Sequence, residues 1–179
     1  MAGSSTRQLL IFCIQAILLA LVNVMGCTEE RREIPLDALK LDIQPLKSQF
    51  VEGESIVINT VFRNQAPFGF RINNEWWAWP NTCSLSFEIE DPLGKKVEKE
   101  RMYIRRPNPN KQDFTAINGN GQWEYKADLR YFNKPLTVPG VYKITATYMN
   151  KDDGSEYGVN AWVGTVTSNM ASFGIVKKQ

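Results

Sequence analysis

The chain has 179 residues, 43% of them apolar, and its 21 cationic side chains nearly balance 19 anionic ones. With no basic run or stripe, nucleic acid is excluded as an expected partner. The absence of histidine excludes Ser-His-Asp and Cys-His catalysis, together with the zinc sites that lean on imidazole.

The first predicted element is an almost unbroken apolar run over residues 9–27, preceded by a short polar start whose only side-chain cation is Arg7. That order is the pattern of a secretory signal peptide. The run is short for a membrane span, which needs about 20 apolar residues, and Gln15 and Asn23 interrupt it. It ends on Val24-Met25-Gly26-Cys27, which resembles the lipobox of bacterial lipoproteins. Gly26 and Cys27 match that pattern fully, whereas Val24 and Met25 depart from its usual Leu and Ala or Ser. The resemblance implies diacylation of the Cys27 thiol, cleavage between Gly26 and Cys27, and acylation of the new amino group. Two or more acyl chains hold firmly where one holds weakly, because each buried methylene contributes about 0.8 kcal/mol. Thr28, not Asp, follows the cysteine. By the same resemblance, the outer membrane is the expected destination in a Gram-negative cell.

Residues 1–26 are thus expected to be a signal peptide, with an uncleaved N-terminal helix or a plain secretion signal as the alternatives, 27–38 a lipidated tether and 39–179 a single domain, a size able to bury a real core. The tether is charged, reaches a proline at Pro35 and offers little to pack. Cys13 leaves with the signal and Cys27 takes lipid, so Cys83 has no cysteine to pair with and is expected to be a small buried hydrophobe.

From Leu39 onward, period-two patterns dominate. Leu39, Leu41 and Ile43 form one face of a first strand that closes at Pro45. A turn at Glu52-Gly53-Glu54 leads to Ile56, Ile58, Thr60 and Phe62 in a second strand, up to Asn64. Leu85, Phe87 and Ile89 define another, which ends at a type I turn over Asp91-Pro92-Leu93-Gly94 and returns as a hairpin through Lys95 to Glu100. Trp123, Tyr125, Ala127 and Leu129 share the next face, and Tyr142, Ile144, Ala146 and Tyr148 the one after it. Strands over 162–166 and 171–176 close the chain around Ser168-Asn169. No downstream segment carries a sustained helical period with caps. Seven or eight short strands with Gly, Pro and Asn turns predict an all-β, antiparallel sandwich.

The run Val138-Pro139-Gly140-Val141-Tyr142 resembles the tyrosine corner of immunoglobulin-like folds, where the hydroxyl bonds back to upstream backbone. Glu52-Gly53-Glu54-Ser55-Ile56 at one end, and Gly164 to Ser168-Asn169 as a closing hairpin, resemble a layout of uncharacterised bacterial exported domains. The same layout resembles the immunoglobulin-like domains of the bacterial intracellular proteinase inhibitor group. These motifs imply fold, and superfolds host many functions.

Three indoles, Trp76, Trp77 and Trp79, crowd one Gly/Asn/Pro-rich loop. Flat, rigid indoles anchor protein contacts or stack on sugar rings, and they also bury readily as a satellite core over one end of a sandwich. Arg105 and Arg106 precede a proline-rich turn and complete the candidate binding surface, against the plainer reading of a solvated loop. Asp152-Asp153-Gly154-Ser155-Glu156 lacks the spacing of an EF-hand loop and reads as a polar hairpin turn. Asn118-Gly119-Asn120-Gly121 also reads as a turn. No catalytic group, metal site or cofactor is expected. The reading is a non-catalytic protein of the cell envelope, held to a membrane by acyl chains on Cys27, whose sandwich binds an envelope protein or serves as an assembly part. Glycan binding through Trp76 to Trp79 and proteinase inhibition by an exposed loop are the alternatives.

Overall fold

A computed structural model describes residues 32–75, 83–100 and 110–178. The chain divides into two units, Met1–Arg32 and Glu33–Gln179, and the second is the one described here. Gly26, Cys27, Trp76, Trp77, Trp79, Arg105 and Arg106 all lie outside the described residues.

Among the described residues, ten strands run in order: β1 (Leu39–Pro45), β2 (Gln49–Val51), β3 (Val57–Asn64), β4 (Phe70–Asn73), β5 (Cys83–Glu90), β6 (Phe114–Ile117), β7 (Gln122–Asp128), β8 (Gly140–Asn150), β9 (Gly164–Thr167) and β10 (Ala171–Val176). One sheet has the order β1-β3-β7 and the other β2-β10-β8-β5, with β9 also on β8. A small β4-β6 pair flanks them. All pairings are antiparallel except that of β2 with β10. This is an all-β immunoglobulin-like sandwich. The strand count exceeds the seven or eight read from sequence because β2, β4 and β6 have only three or four residues each. That is too short to display an alternation.

The core follows from the alternation. Leu39, Leu41 and Ile43 of β1, Ile58 and Phe62 of β3, Leu85, Phe87 and Ile89 of β5, and Tyr142, Ile144, Ala146 and Tyr148 of β8 are all buried in one cluster. A fully buried Leu, Ile or Phe stabilises by about 1.5–3 kcal/mol relative to exposure, so these faces account for most of the drive to pair the sheets. Phe62 meets Tyr148 edge-on across the gap at 5.2 Å between centroids, and within one sheet Tyr142 stacks on its cross-strand neighbour Phe173 at 5.5 Å.

The tyrosine corner is present. Tyr142 Oη donates to the Val138 carbonyl at 2.7 Å and accepts from the Val138 N–H at 3.1 Å.

Two local expectations are corrected. After the Asp91–Gly94 turn, the return to Glu100 makes single bridges, Glu90 to Lys96 and Lys99 to Asn133, and no strand. Its polar run, Lys95-Lys96-Val97-Glu98-Lys99-Glu100, has one apolar side chain to bury. Residues 164–176 form no hairpin, because β9 and β10 both run antiparallel to β8, one on each half of it. Ser168-Asn169 fills the break: the Ser168 hydroxyl accepts from Ala146 N–H at 2.9 Å and so stitches the gap to β8. Asn169 reaches across to the other sheet, accepting from Ile43 N–H at 2.9 Å and donating to its carbonyl at 3.1 Å. The acidic stretch 152–156 lies, as expected, in the polar connection of a hairpin, the one that joins the antiparallel pair β8 and β9. Asp152 Oδ1 accepts from Gly154 N–H and Asp153 Oδ1 from Ser155 N–H, which feeds a short 3-10 turn, Ser155–Tyr157.

Candidate functional site

Strand polarity brings the two residues that flank the tryptophan stretch, Glu75 and Cys83, to one end of the sandwich. There β1 begins, β3 and β8 end, and β5 starts.

The end is built by asparagines. Asn64, Asn73 and Asn150 are each the last residue of their strand, and all three are buried. A buried amide is costly unless its donors and acceptor are met, and for Asn64 and Asn150 loop backbone meets both. Asn64 Nδ2 donates to the carbonyls of Phe68 at 2.7 Å and Asn118 at 3.0 Å, while its Oδ1 accepts from Ala66 N–H at 2.8 Å. Asn150 Nδ2 donates to the carbonyls of Trp162 at 2.6 Å and Asp152 at 2.8 Å. Asn73 Oδ1 accepts from Glu75 N–H at 2.9 Å. Each amide thus bends its strand into a loop and holds it there. Gly119 sits so close to the Pro67 carbonyl that a Cβ would collide with it, so the predicted turn over 118–121 is wedged against the 65–69 loop.

Both flanks of the tryptophan loop are fixed. The carbonyl of Asn73 accepts from Cys83 Sγ at 3.1 Å and from Tyr148 Oη at 2.9 Å. Next to it, Asn74 Nδ2 donates to Thr115 Oγ1 at 2.7 Å. Cys83 is 2% exposed, and burial pushes its thiol pKa up to about 12, against the lowering effect of its bond with Tyr148. Reactivity needs thiolate, so Cys83 is a packed donor and no nucleophile. Burial likewise lifts the Tyr148 phenol well above its ordinary value.

The N-terminal segment closes this end. Trp162 is fully buried and stacks on Tyr148 at 5.9 Å. Its indole Nε1 donates to the carbonyls of Pro35 and Leu36, both at 3.2 Å. Ile34 packs against the core, so the segment expected to have little to pack is docked from Ile34 onward. Gly164, at φ 153°, lies under the indole, where a Cβ would come within 2.8 Å of the ring.

The rest of the site's chemistry is quiet. Among the described residues, no group of three or more His, Cys, Asp or Glu side chains is placed to hold a metal ion, and no helix is long and apolar enough to cross a membrane. The asparagine clamps and the Trp162 dock escaped the sequence reading. The available signal was an asparagine in the inward phase of a strand, as Asn64 follows Ile58, Thr60 and Phe62.

No family profile and no curated protein matches the chain. Among solved structures, it is similar to the CARDB domain of a Pyrococcus furiosus protein, crystallised in complex with di-metal ions, at 13% identity and a TM-score of 0.38 over 78% of this chain and 94% of that one. A solution structure of the same domain gives 12% identity and a TM-score of 0.36 over the same shares. The alkylpurine DNA glycosylase AlkC of Pseudomonas fluorescens, bound to DNA with an abasic site analog, gives 11% identity and 0.38 over 77% of this chain and 30% of that one. At that level of likeness the fold rests on the chain's own sheets.

Proposed function

We propose that this protein is a lipid-anchored, non-catalytic component of a bacterial cell envelope, whose sandwich binds a protein partner or serves as an assembly part. The observation that carries the proposal is the apolar stretch ending on Gly26-Cys27, set directly before a segment docked onto the domain through Trp162. The eight residue steps from Cys27 to Pro35 span at most about 28 Å when extended. Acylated at Cys27, the protein would hold its asparagine-clamped end close to the lipid surface. The burial of Cys83 and the absence of histidine leave a binding role as the simplest one for the domain.

Labelled palmitate tests the anchor. The label should follow the wild-type protein into the membrane fraction, and Cys27→Ser should abolish labelling and release the protein or leave it unprocessed. Unchanged fractionation and mass in Cys27→Ser would remove the anchor.

A further inference from the structure

We propose that Asn118 is a site of spontaneous modification, where the backbone nitrogen of Gly119 displaces the side-chain amide and the isoaspartate that results releases the Asn64 clamp. This goes beyond the anchored reading by giving the clamped end a chemistry of its own, and it does not depend on acylation.

The chain sets two Asn-Gly pairs side by side, Asn118-Gly119 and Asn120-Gly121. Asparagine before glycine is prone to cyclise, because glycine has no side chain to hinder its nitrogen or restrict its backbone angles. The fold separates the two pairs. The Gly121 N–H is held by the Asn118 carbonyl at 2.9 Å, and Asn120 sits in the left-handed region at φ 56°. Asn118 is exposed. Among the described residues, no hydrogen bond engages its side-chain amide or the Gly119 N–H. The first pair is open to the reaction. The second must break a hydrogen bond before its nitrogen can turn on the side chain.

The chemistry needs only water. Gly119 gives its N–H proton to hydroxide, and the nitrogen attacks Asn118 Cγ. The new bond joins Gly119 N to Cγ, the bond from Cγ to Nδ2 breaks, and Nδ2 takes a proton from water and leaves as ammonia. A second water opens the five-membered succinimide at either carbonyl, to aspartate or to isoaspartate. In isoaspartate the main chain runs through Cβ, and the former Asn118 carbonyl becomes a free carboxylate.

That carbonyl is a junction. It accepts from Asn64 Nδ2 at 3.0 Å as well as from Gly121 N–H. Beside it, Asn120 N–H donates to the Ala66 carbonyl and Asn64 N–H to the Gly121 carbonyl, both at 2.9 Å. Gly119 is wedged against the Pro67 carbonyl, where even a Cβ would collide, so an added main-chain atom has no room. Isoaspartate at 118 therefore pries the turn off the 65–69 loop. It also frees the Gly121 N–H, and Asn120 can then follow. The fold builds in an order, Asn118 first and Asn120 second.

The test ages the full-length protein, folded in detergent at mildly alkaline pH. Peptide mapping then reads each site, with isoaspartyl methyltransferase as the probe for isoaspartate. Asn118 should convert about fivefold faster than Asn120, the factor that one hydrogen bond of ordinary net strength imposes. In urea the two rates should converge. Asn118→Ala, which keeps the backbone carbonyl, should leave Asn120 slow and hold the urea midpoint of the aged protein, while that of the aged wild type falls. A folded protein in which neither asparagine changes, or in which Asn120 changes as fast as Asn118, would overturn the proposal. So would conversion at Asn118 that leaves the urea midpoint where it was.

Discussion

The indole nitrogen of Trp162 donates to the carbonyl of Pro35, 127 residues earlier in the chain. This one bond, shared with Leu36, ties the entry to the domain onto the stretch just before its last two strands. The ring that makes it is enclosed by Tyr148 and Gly164.

Trp162→Phe should therefore cost about 1–3 kcal/mol, from a lost hydrogen bond and a smaller ring in an enclosed site. Urea denaturation measures the loss. The same substitution should speed proteolysis after Arg32, because the segment beyond it loses its dock. Equal stability with unchanged cleavage would show that the indole contact does not hold the N-terminal segment.

Tyr142→Phe keeps the ring stack on Phe173 and removes only the hydroxyl. Val138 then loses both partners of its N–H and C=O. The expected cost is about 1–2 kcal/mol, read as a lower urea midpoint with unchanged slope.

Much of this was legible beforehand. The corner was readable because proline, glycine and tyrosine each act locally there, and the long strands because alternation marks their buried faces. The closing Ser168-Asn169 resembles a hairpin motif in sequence, but its role depends on Ala146 and Ile43, residues far away in sequence. The three asparagine clamps were invisible for the same reason: a polar residue at a strand end looks like a loop until its long-range carbonyl partners are in place. The short strands β2, β4 and β6 have too few residues to show a period.

Cys83 should resist thiol reagents in the folded protein. Its folded pKa, about 12, lies above the ordinary value near 8.5, so folding favours the neutral thiol. That contribution to stability is fully present below about pH 8.5 and is lost as pH rises toward 12. Peptide mapping after iodoacetamide at pH 8 should find Cys83 unmodified until urea is added. Rapid labelling in buffer would contradict its burial.

Asp128 gives the opposite slope. Burial raises its pKa, but bonds from Arg130 and from Ser55, the latter at 2.6 Å, outweigh it and leave the carboxyl below its ordinary value. Its contribution is present above about pH 4 and fades as pH falls through the lower folded value. Asp128→Asn should flatten the acid limb of the stability curve, by less than about 1 kcal/mol, because solvent screens the Arg130 pair.

Asn64→Ala should be the most damaging of the clamp substitutions. It strands the carbonyls of Phe68 and Asn118 and the N–H of Ala66 at a buried junction, for a loss of about 2–4 kcal/mol. Thermal unfolding measures it, and a change within error would mean that water replaces the amide at no cost.

The account turns on Cys27, and the mass of the mature protein, extracted from the membranes of its native cell, tests it most directly. The mature chain should begin at Cys27 and carry acyl groups on that residue, with Cys83 unmodified. A mature chain that begins elsewhere, or a Cys27 with a free thiol, would contradict it.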